Sequence, residues 1–281
     1  MTATRTQNQN ANGLIAKREL LFNRLRELDS LLVAFSGGAD SAYLAWAAHS
    51  TLAERALAVT ALSPSFSQHD RQQVEAFVRQ TGLRHQFIIT TEFENPNYVA
   101  NNADRCYHCK TELFAEMEKL ATKLEFAAIA YGVNADDMQD FRPGHRAARE
   151  HQVLAPLLEA QLAKSEIREL SRQERLATWD RPASACLSSR LPYGTPVTIQ
   201  NLSQIERGEA ILREMDFRQF RVRHHGEIAR IEIASEELPR ALQINLAETL
   251  AERFKQLGFT SVVLDPQGYR QGSLNAALNR K

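Results

Sequence analysis

The sequence predicts an α/β fold in which an N-terminal domain built on a parallel sheet is followed by a smaller α+β domain. Three observations lead there. Short, almost wholly apolar runs, as strands buried on both faces require, alternate with helical stretches through the first half of the chain, and that alternation implies right-handed crossovers. An irregular segment, RPASACLSSRLPYGTP, then carries three prolines and a glycine and cannot continue a helix. Beyond it, two strand-like stretches hinge at Gly226 with no helix between them.

The polar leader MTATRTQNQNANG, residues 1–13, reads as flexible. Leu14, Ile15, Leu21, Leu25 and Leu28 recur near helical spacing and predict a first amphipathic helix. Leu31 to Phe35 is a buried-strand run; Ala56 to Leu62 and Phe126 to Tyr131 repeat it, and Arg84 to Thr90 is a more mixed version. Helices are predicted between them at 41–53, 69–80 and 104–123, with another at 162–176. Residues 182–196 read as a cysteine-bearing loop or linker. After Pro196 a long helix over 199–215 leads into strands at 217–224 and 228–233, helices around 236–242 and 246–257, and a strand at 261–264. The first domain therefore spans 14–181, and the small α+β domain, for substrate binding or oligomerisation, spans 197–281.

At 281 residues the chain is long enough for about two domains. Its 34 basic residues balance 34 acidic ones, so the formal net charge is zero and the chain as a whole carries no broad footprint for nucleic acid. No apolar run approaches the roughly 18–20 residues that cross a bilayer, and the leader lacks the apolar core of a signal peptide, which predicts a cytoplasmic protein with no membrane partner. The three cysteines, Cys106, Cys109 and Cys186, cannot all pair internally. In a reducing compartment such cysteines more often bind metal or do chemistry.

The sharpest local signal is LLVAF followed by Ser36, Gly37, Gly38, Ala39, Asp40 and Ser41, a buried strand turning through two glycines into a helix. Glycines permit the tight turn and the close backbone approach, and free N–H groups at the positive helix end face an anion. The Gly-Lys-Ser/Thr ending of a Walker A loop is missing. SGGADS instead resembles the PP-loop of N-type ATP pyrophosphatases, which split ATP into AMP and pyrophosphate. That resemblance implies an adenine nucleotide α-hydrolase-like domain in which Ser36, Gly37, Gly38 and Ser41 hold the pyrophosphate portion and Asp40 organises Mg²⁺. A helix entry capped by Ser36, with glycines serving only the turn, is the plain alternative. Tyr131-Gly132-Val133-Asn134-Ala135-Asp136-Asp137 follows a predicted strand, where open α/β sheets form their ligand crevice, and makes Gly132 a candidate nucleotide contact or part of a polar turn.

Cys106 and Cys109 have the two-residue gap that lets both sulfurs reach one metal, at the start of a predicted helix. His108 offers a fourth ligand for a zinc site, and a cluster held by three cysteines would leave one iron open. In the second domain Arg218, Arg221, Arg223, His224, His225 and Arg230 crowd a short stretch, and Arg221 and Arg223 project from one strand face. Paired guanidinium groups suit a phosphate or carboxylate, with a solvated charged hairpin as the alternative. Glu206 and Glu209, three apart on the preceding helix, are candidates either to join a Mg²⁺ ion or to balance those arginines. Arg190, four residues after Cys186, is a further candidate anion contact, and Tyr107 and Trp179 are candidates to stack on a ring.

SGGADS, RCYHCK, YGVNADD, RPASACLSSRLPYG and FRVRHHGEIARIEI, in this order and over nearly the whole chain, resemble the LarE family of ATP-dependent sulfur transferases. The resemblance implies that ATP adenylates a carboxylate of pyridinium-3,5-biscarboxylic acid mononucleotide and that sulfur then displaces AMP, at both ring carboxylates, on the way to the nickel-pincer cofactor of lactate racemase. It implies a homo-oligomer, and substrate-phosphate contacts from Arg190, Arg221 and Arg223. Two sulfur sources are known in the family. In one, the cysteine matching Cys186 gives up its own sulfur and becomes dehydroalanine; in the other, three cysteines matching Cys106, Cys109 and Cys186 hold a [4Fe-4S] cluster that carries a transferable sulfide. The Cys-x-x-Cys pair favours the second. Thiolation of tRNA and a non-catalytic zinc module that binds nucleotide are the competing functions, the first opposed by the neutral charge balance.

Overall fold

A computed structural model describes residues 2–139, 143–182 and 184–270; Met1 of the leader, Ala183 of the linker and residues 271–281 of the second domain lie outside the described residues. The chain divides into two units. One comprises residues 1–63, 68–91 and 106–183; the other comprises 64–67, 92–105 and 184–281. The boundary near 183 falls where the proline-rich segment begins, but two short pieces, 64–67 and 92–105, group with the second unit rather than the first.

The first unit opens on helix α1 (Thr2–Arg26), so the leader expected to be flexible is helical and continuous with the segment after it. Strands β1 (Leu31–Ala34), β2 (Ala56–Leu62), β3 (His85–Ile89) and β4 (Ala128–Tyr131) form a sheet of order β3-β2-β1-β4. Every pairing in it is parallel. Helices α2 (Ala39–Leu52), α3 (Gln68–Thr81), α4 (Arg105–Leu124), α5 (Gly144–Glu150) and α6 (Lys164–Gln173) belong to the same unit, with a single helical turn at Pro156–Glu159. Because side chains alternate across a strand, Leu32, Ala34, Leu57, Val59 and Ile129 meet Phe114 and Met117 of α4 in one core, while Leu31 and Val33 face the other way. All of β1 is buried, which is why its sequence reads as a continuous apolar run. The chain runs outward from β1 to β3 and returns on the other side of β1 as β4. That reversal makes the C-terminal ends of β1 and β4 the expected ligand crevice.

Beside it, the Nε2 of His85 meets the Thr60 hydroxyl at 2.8 Å, and that hydroxyl donates to the carbonyl of Phe35 at 2.6 Å, next to Ser36. Burial pulls the His85 pKa from 6.5 to about 4. The unfolded chain therefore takes up a proton below about 6.5 that the folded chain refuses until about 4. Its stabilising contribution is complete above that window and lost as pH falls through it, at most ~3 kcal/mol for a partly buried ring. Urea unfolding at pH 7 and pH 5 is expected to show that loss, and His85→Gln to flatten it.

The second unit holds helices α7 (Ile199–Glu214) and α8 (Ile244–Lys255) on a three-stranded sheet of order β5-β6-β7. Strands β5 (Phe220–His225) and β6 (Ile228–Ile233) form an antiparallel hairpin, and β7 (Ser261–Leu264) adds in parallel to β6. Thr198 caps α7 by accepting from the N–H of Asn201 at 3.1 Å. Leu212, Val222, Ile231, Phe254 and Phe259 form its core. A Cβ on Gly208 would stand 2.9 Å from Phe254 Cε1, so the close packing of α7 and α8 requires glycine there. Among the described residues, no helix is long and apolar enough to cross a membrane.

Candidate functional site

In the first unit, β1 ends in a loop whose hydroxyls are tied together. Ser41 Oγ receives the N–H of Ser36 at 3.2 Å, lies 3.1 Å from Ser36 Oγ and donates to the carbonyl of Gly38 at 3.1 Å. Gly37 takes a φ of +76°, and a Cβ there would meet Val74 Cγ2 at 2.9 Å, so both conformation and space require glycine. Gly38 is the N-cap of α2 with no side-chain cap, which leaves the first turn's N–H groups directed at the crevice.

Gly132 comes to the same place from β4. A Cβ on it would stand 2.7 Å from the backbone nitrogen of Ser41, so its role in this structure is to let the strand end lie against the phosphate loop. Two residues on, Asn134 donates from Nδ2 to Asp40 Oδ2 at 3.2 Å, while its own Oδ1 accepts the N–H groups of Asp136 and Asp137. The structure thus gathers Ser36, Gly37, Gly38, Asp40, Ser41 and Gly132 at one end of one sheet. It also adds cations that the sequence did not single out. Lys164 reaches Asp40 Oδ2 at 3.2 Å, and Arg181 donates to the carbonyl of Gly37 at 2.8 Å and to Asp70 at 2.6 Å. The sequence offered one signal for them, that a phosphate loop without a lysine must find its positive charge elsewhere.

Asp40 Oδ1 is buried and has no hydrogen-bond partner. A buried carboxylate oxygen without a hydrogen-bond partner is a donor that a hard divalent cation takes, so Asp40 fits Mg²⁺ carried in with a nucleotide.

Cys106 and Cys109 lie one turn apart at the start of α4, Cys106 exposed and Cys109 half-buried, and neither is in a disulfide. Cys186 lies in the second unit and is exposed. The donor set, three thiols, suits iron in kind. Among the described residues no group of three His, Cys, Asp or Glu side chains is arranged to hold a metal ion. Tyr107 donates its hydroxyl to Glu150 at 2.7 Å under the guanidinium of Arg146, while Trp179 stays exposed.

The segment around Cys186, expected to be irregular, is fastened within the second unit by the stretch 92–105. Tyr98 Oη bonds Ser188 Oγ at 2.8 Å, Asn101 Nδ2 donates to the carbonyls of Pro192 and Thr195 at 2.8 Å each, and Arg105 donates to the carbonyl of Ser188 at 2.9 Å. The carbonyl of Cys186 accepts from the N–H and the hydroxyl of Ser189 and, at 3.0 Å, from Arg190. Its thiol stays exposed.

Arg190, read as an anion contact, is buried and makes a two-pronged bond to Glu209 at 2.8 and 3.1 Å, and it also bonds the carbonyl of Ala185. Glu209, expected either to join a Mg²⁺ ion or to balance the arginines, is bonded to one of them. Its Oε1 also accepts the N–H of Val222 at 3.3 Å, and Arg213 stands 3.6 Å from Oε2. Burial alone would raise the pKa of Glu209, but Arg190, Arg221 and Arg213 together hold it below the usual carboxylate range. Arg223 joins the same shell, donating to the carbonyl of Ser189 at 2.9 Å and to buried Glu232 at 2.8 Å. Arg221 bonds the carbonyl of Phe220 and lies 5.1 Å from the centre of the Tyr269 ring; burial, then the charge of Arg190, lowers its pKa. The three arginines and Cys186 therefore share one unit and one network, with protein groups bonded to each arginine.

No protein-family model matches the chain. It is 41% identical to an uncharacterised protein of Synechocystis over 95% of this chain and 100% of the relative. It is 28% identical to an uncharacterised protein of Methanocaldococcus jannaschii, over 89% of this chain and 96% of that one. Pyridinium-3,5-bisthiocarboxylic acid mononucleotide synthase of Lactiplantibacillus plantarum is 32% identical to it over 95% of this chain and 96% of the synthase. A phosphate loop at the switch point of a parallel sheet, followed by a fastened cysteine loop, thus lies within end-to-end likeness to that synthase, and the chain belongs to the LarE family of ATP-dependent sulfur transferases.

Proposed function

We propose that this enzyme adenylates the carboxylates of pyridinium-3,5-biscarboxylic acid mononucleotide with ATP and converts them to thiocarboxylates for the nickel-pincer cofactor. The observation that carries the reading is the full-length likeness to the Lactiplantibacillus synthase, whose name states that product. The loop supports the first half-reaction. Backbone N–H groups of Gly38 and the first turn of α2, with the hydroxyls of Ser36 and Ser41, receive the pyrophosphate portion. Asp40 would hold Mg²⁺ through its bare oxygen, and the ion would supply screening of the pyrophosphate charge.

For the second half-reaction, adenylation has turned a poor leaving oxygen into AMP, so a sulfur nucleophile can replace it. Cys106, Cys109 and Cys186 would hold a [4Fe-4S] cluster, which would supply a sulfide for transfer. We assign the phosphate of the mononucleotide to Arg221 and Arg223, which share the second unit with Cys186; Arg190, bonded to the Cys186 carbonyl, orients the cysteine loop. The working assembly is a cytoplasmic homo-oligomer, and neither membrane nor nucleic acid is a partner.

The test is a reaction of anaerobically purified, iron- and sulfide-reconstituted protein with ATP, Mg²⁺, excess inorganic sulfide and the biscarboxylic mononucleotide. Thiocarboxylate is expected to form repeatedly, with one pyrophosphate per carboxylate and the mass of the protein unchanged. Zinc in place of iron with no product sinks the reading. Product matched one for one by loss of H₂S from Cys186 keeps the reaction and replaces the cluster with self-sacrifice.

A further inference from the structure

We infer that His85 and Thr60 are positioning residues for adenylation: together they hold the Phe35–Ser36 peptide, where β1 enters the phosphate loop, in the orientation that serves a pyrophosphate group. The inference rests on the adenylation reading and deepens it. Neither side chain is part of the loop. Thr60 stands on β2 and His85 on β3, and they act on the loop through hydrogen bonds.

Each of those bonds has a forced direction. Thr60 Oγ1 lies 2.6 Å from the carbonyl oxygen of Phe35, which can only accept, so the single hydroxyl hydrogen of Thr60 is committed there. The 2.8 Å contact between Thr60 Oγ1 and His85 Nε2 must then use a hydrogen of the ring. Burial pulls the His85 pKa to about 4, so at neutral pH the ring holds one hydrogen, and it stands on Nε2. Two edge-on neighbours, Phe35 at 5.9 Å and Phe87 at 4.5 Å between ring centres, set the plane of the imidazole. A trans peptide points its C=O and N–H in opposite directions, so fixing the Phe35 carbonyl toward Thr60 aims the Ser36 N–H at Ser41 Oγ, 3.2 Å away. Ser41 in turn spends its hydrogen on the carbonyl of Gly38, the N-cap of α2, at 3.1 Å. A one-way series of hydrogen bonds therefore runs from β3, through β2 and the end of β1, to the start of α2.

The series decides which sign of charge faces the crevice. Turned over, the Phe35–Ser36 peptide would present a carbonyl oxygen in place of an N–H to the hydroxyls of Ser36 and Ser41, and a partial negative charge there opposes an incoming phosphate. With Thr60 and Phe35 both buried, the hydroxyl and not bulk water holds this carbonyl. His85 acts one bond further back, by fixing which way the Thr60 hydroxyl turns.

The experiment follows pyrophosphate release from ATP and the mononucleotide, and calorimetric binding of Mg²⁺-pyrophosphate and of AMP, in the full chain and in four single variants at a temperature where each is folded. Thr60→Val keeps the shape and loses the hydroxyl; it is expected to lower kcat about 3- to 10-fold, the worth of one neutral hydrogen bond, and to weaken pyrophosphate while leaving AMP unchanged. Thr60→Ser should recover most of that loss. His85→Gln, which keeps a side-chain N–H, should retain more activity than His85→Leu. Thr60→Val combined with His85→Leu should cost no more than Thr60→Val alone, because the histidine acts through the hydroxyl. Unchanged kcat in Thr60→Val, equal weakening of pyrophosphate and AMP, or losses that add in the double variant would each overturn the inference. A second measurement needs no variant. In the nitrogen-15 spectrum of wild-type protein, the His85 ring, identified by its contacts with Phe35 and Phe87, should carry its hydrogen on Nε2 and should shift when Mg²⁺-pyrophosphate binds but not with AMP. Hydrogen on Nδ1, or a signal that pyrophosphate does not move, also overturns it. Wild-type protein that binds neither ATP nor pyrophosphate would instead sink the adenylation reading, and this inference with it.

Discussion

Cys186→Ala is expected to abolish thiocarboxylate formation while pyrophosphate release from ATP and the mononucleotide continues for the first half-reaction. The effect on turnover should be complete, because both sulfur routes, from a cluster or from the cysteine itself, need this thiol. The effect on stability should be small, within about 0.5 kcal/mol as for other exposed side chains. What holds the loop at this position is the Cys186 carbonyl, bonded by Ser189 and Arg190, and the thiol beyond it is exposed. Removing the sulfur leaves those bonds in place. Thermal unfolding together with separate assays of pyrophosphate and thiocarboxylate checks both halves, and a variant that still makes thiocarboxylate would end the assignment of Cys186. Cys106→Ala distinguishes the routes: it stops transfer if a cluster carries the sulfur and spares a single turnover if Cys186 gives up its own.

The strands and the phosphate loop were legible because their physics is local. A strand buried on both faces must be apolar at every position, and Leu31 to Ala34 is. A strand end that turns into a helix around an anion needs glycine where φ is positive, and Gly37 supplies it. Charge, by contrast, is legible without its partner. Arg190 reads as a free guanidinium in the sequence, and only the fold brings Glu209, nineteen positions away, to within 2.8 Å of it. The same holds for Lys164 and Asp40, 124 positions apart, and for Tyr98, Asn101 and Arg105, which fasten a loop more than eighty residues downstream. Proline and glycine content marks the 182–196 segment as irregular, and within it Leu187–Arg190 forms one 3-10 turn. Irregular backbone can still be pinned by buried side chains, and nothing near residue 186 in the sequence says by which.

The Arg190–Glu209 pair carries the largest expected loss of stability. Both side chains are 3% exposed, and Glu209 is the carboxylate that Arg190, Arg213 and Arg221 share. Glu209→Ala therefore leaves three guanidinium groups clustered around an empty place, with one of them desolvated, and is expected to cost about 3–5 kcal/mol. The pH dependence has a definite sign. A carboxylate held below its unfolded value of 4.5 contributes stability that is complete above that pH and lost as pH falls through the lower folded value, so wild-type protein should lose this contribution only below pH 4.5. Glu209→Gln should be less stable than wild type at neutral pH and should lack that acid-side loss. The pair can also be removed together, as Arg190→Met with Glu209→Leu. Apolar replacement of a buried ion pair is often neutral or better, so the double variant should recover much of the stability that Glu209→Ala loses. It also removes the guanidinium that grips the carbonyls of Ala185 and Cys186. A double variant that is stable, releases pyrophosphate and transfers sulfur poorly would separate the two duties of Arg190; one that transfers at the wild-type rate would reduce it to a structural residue.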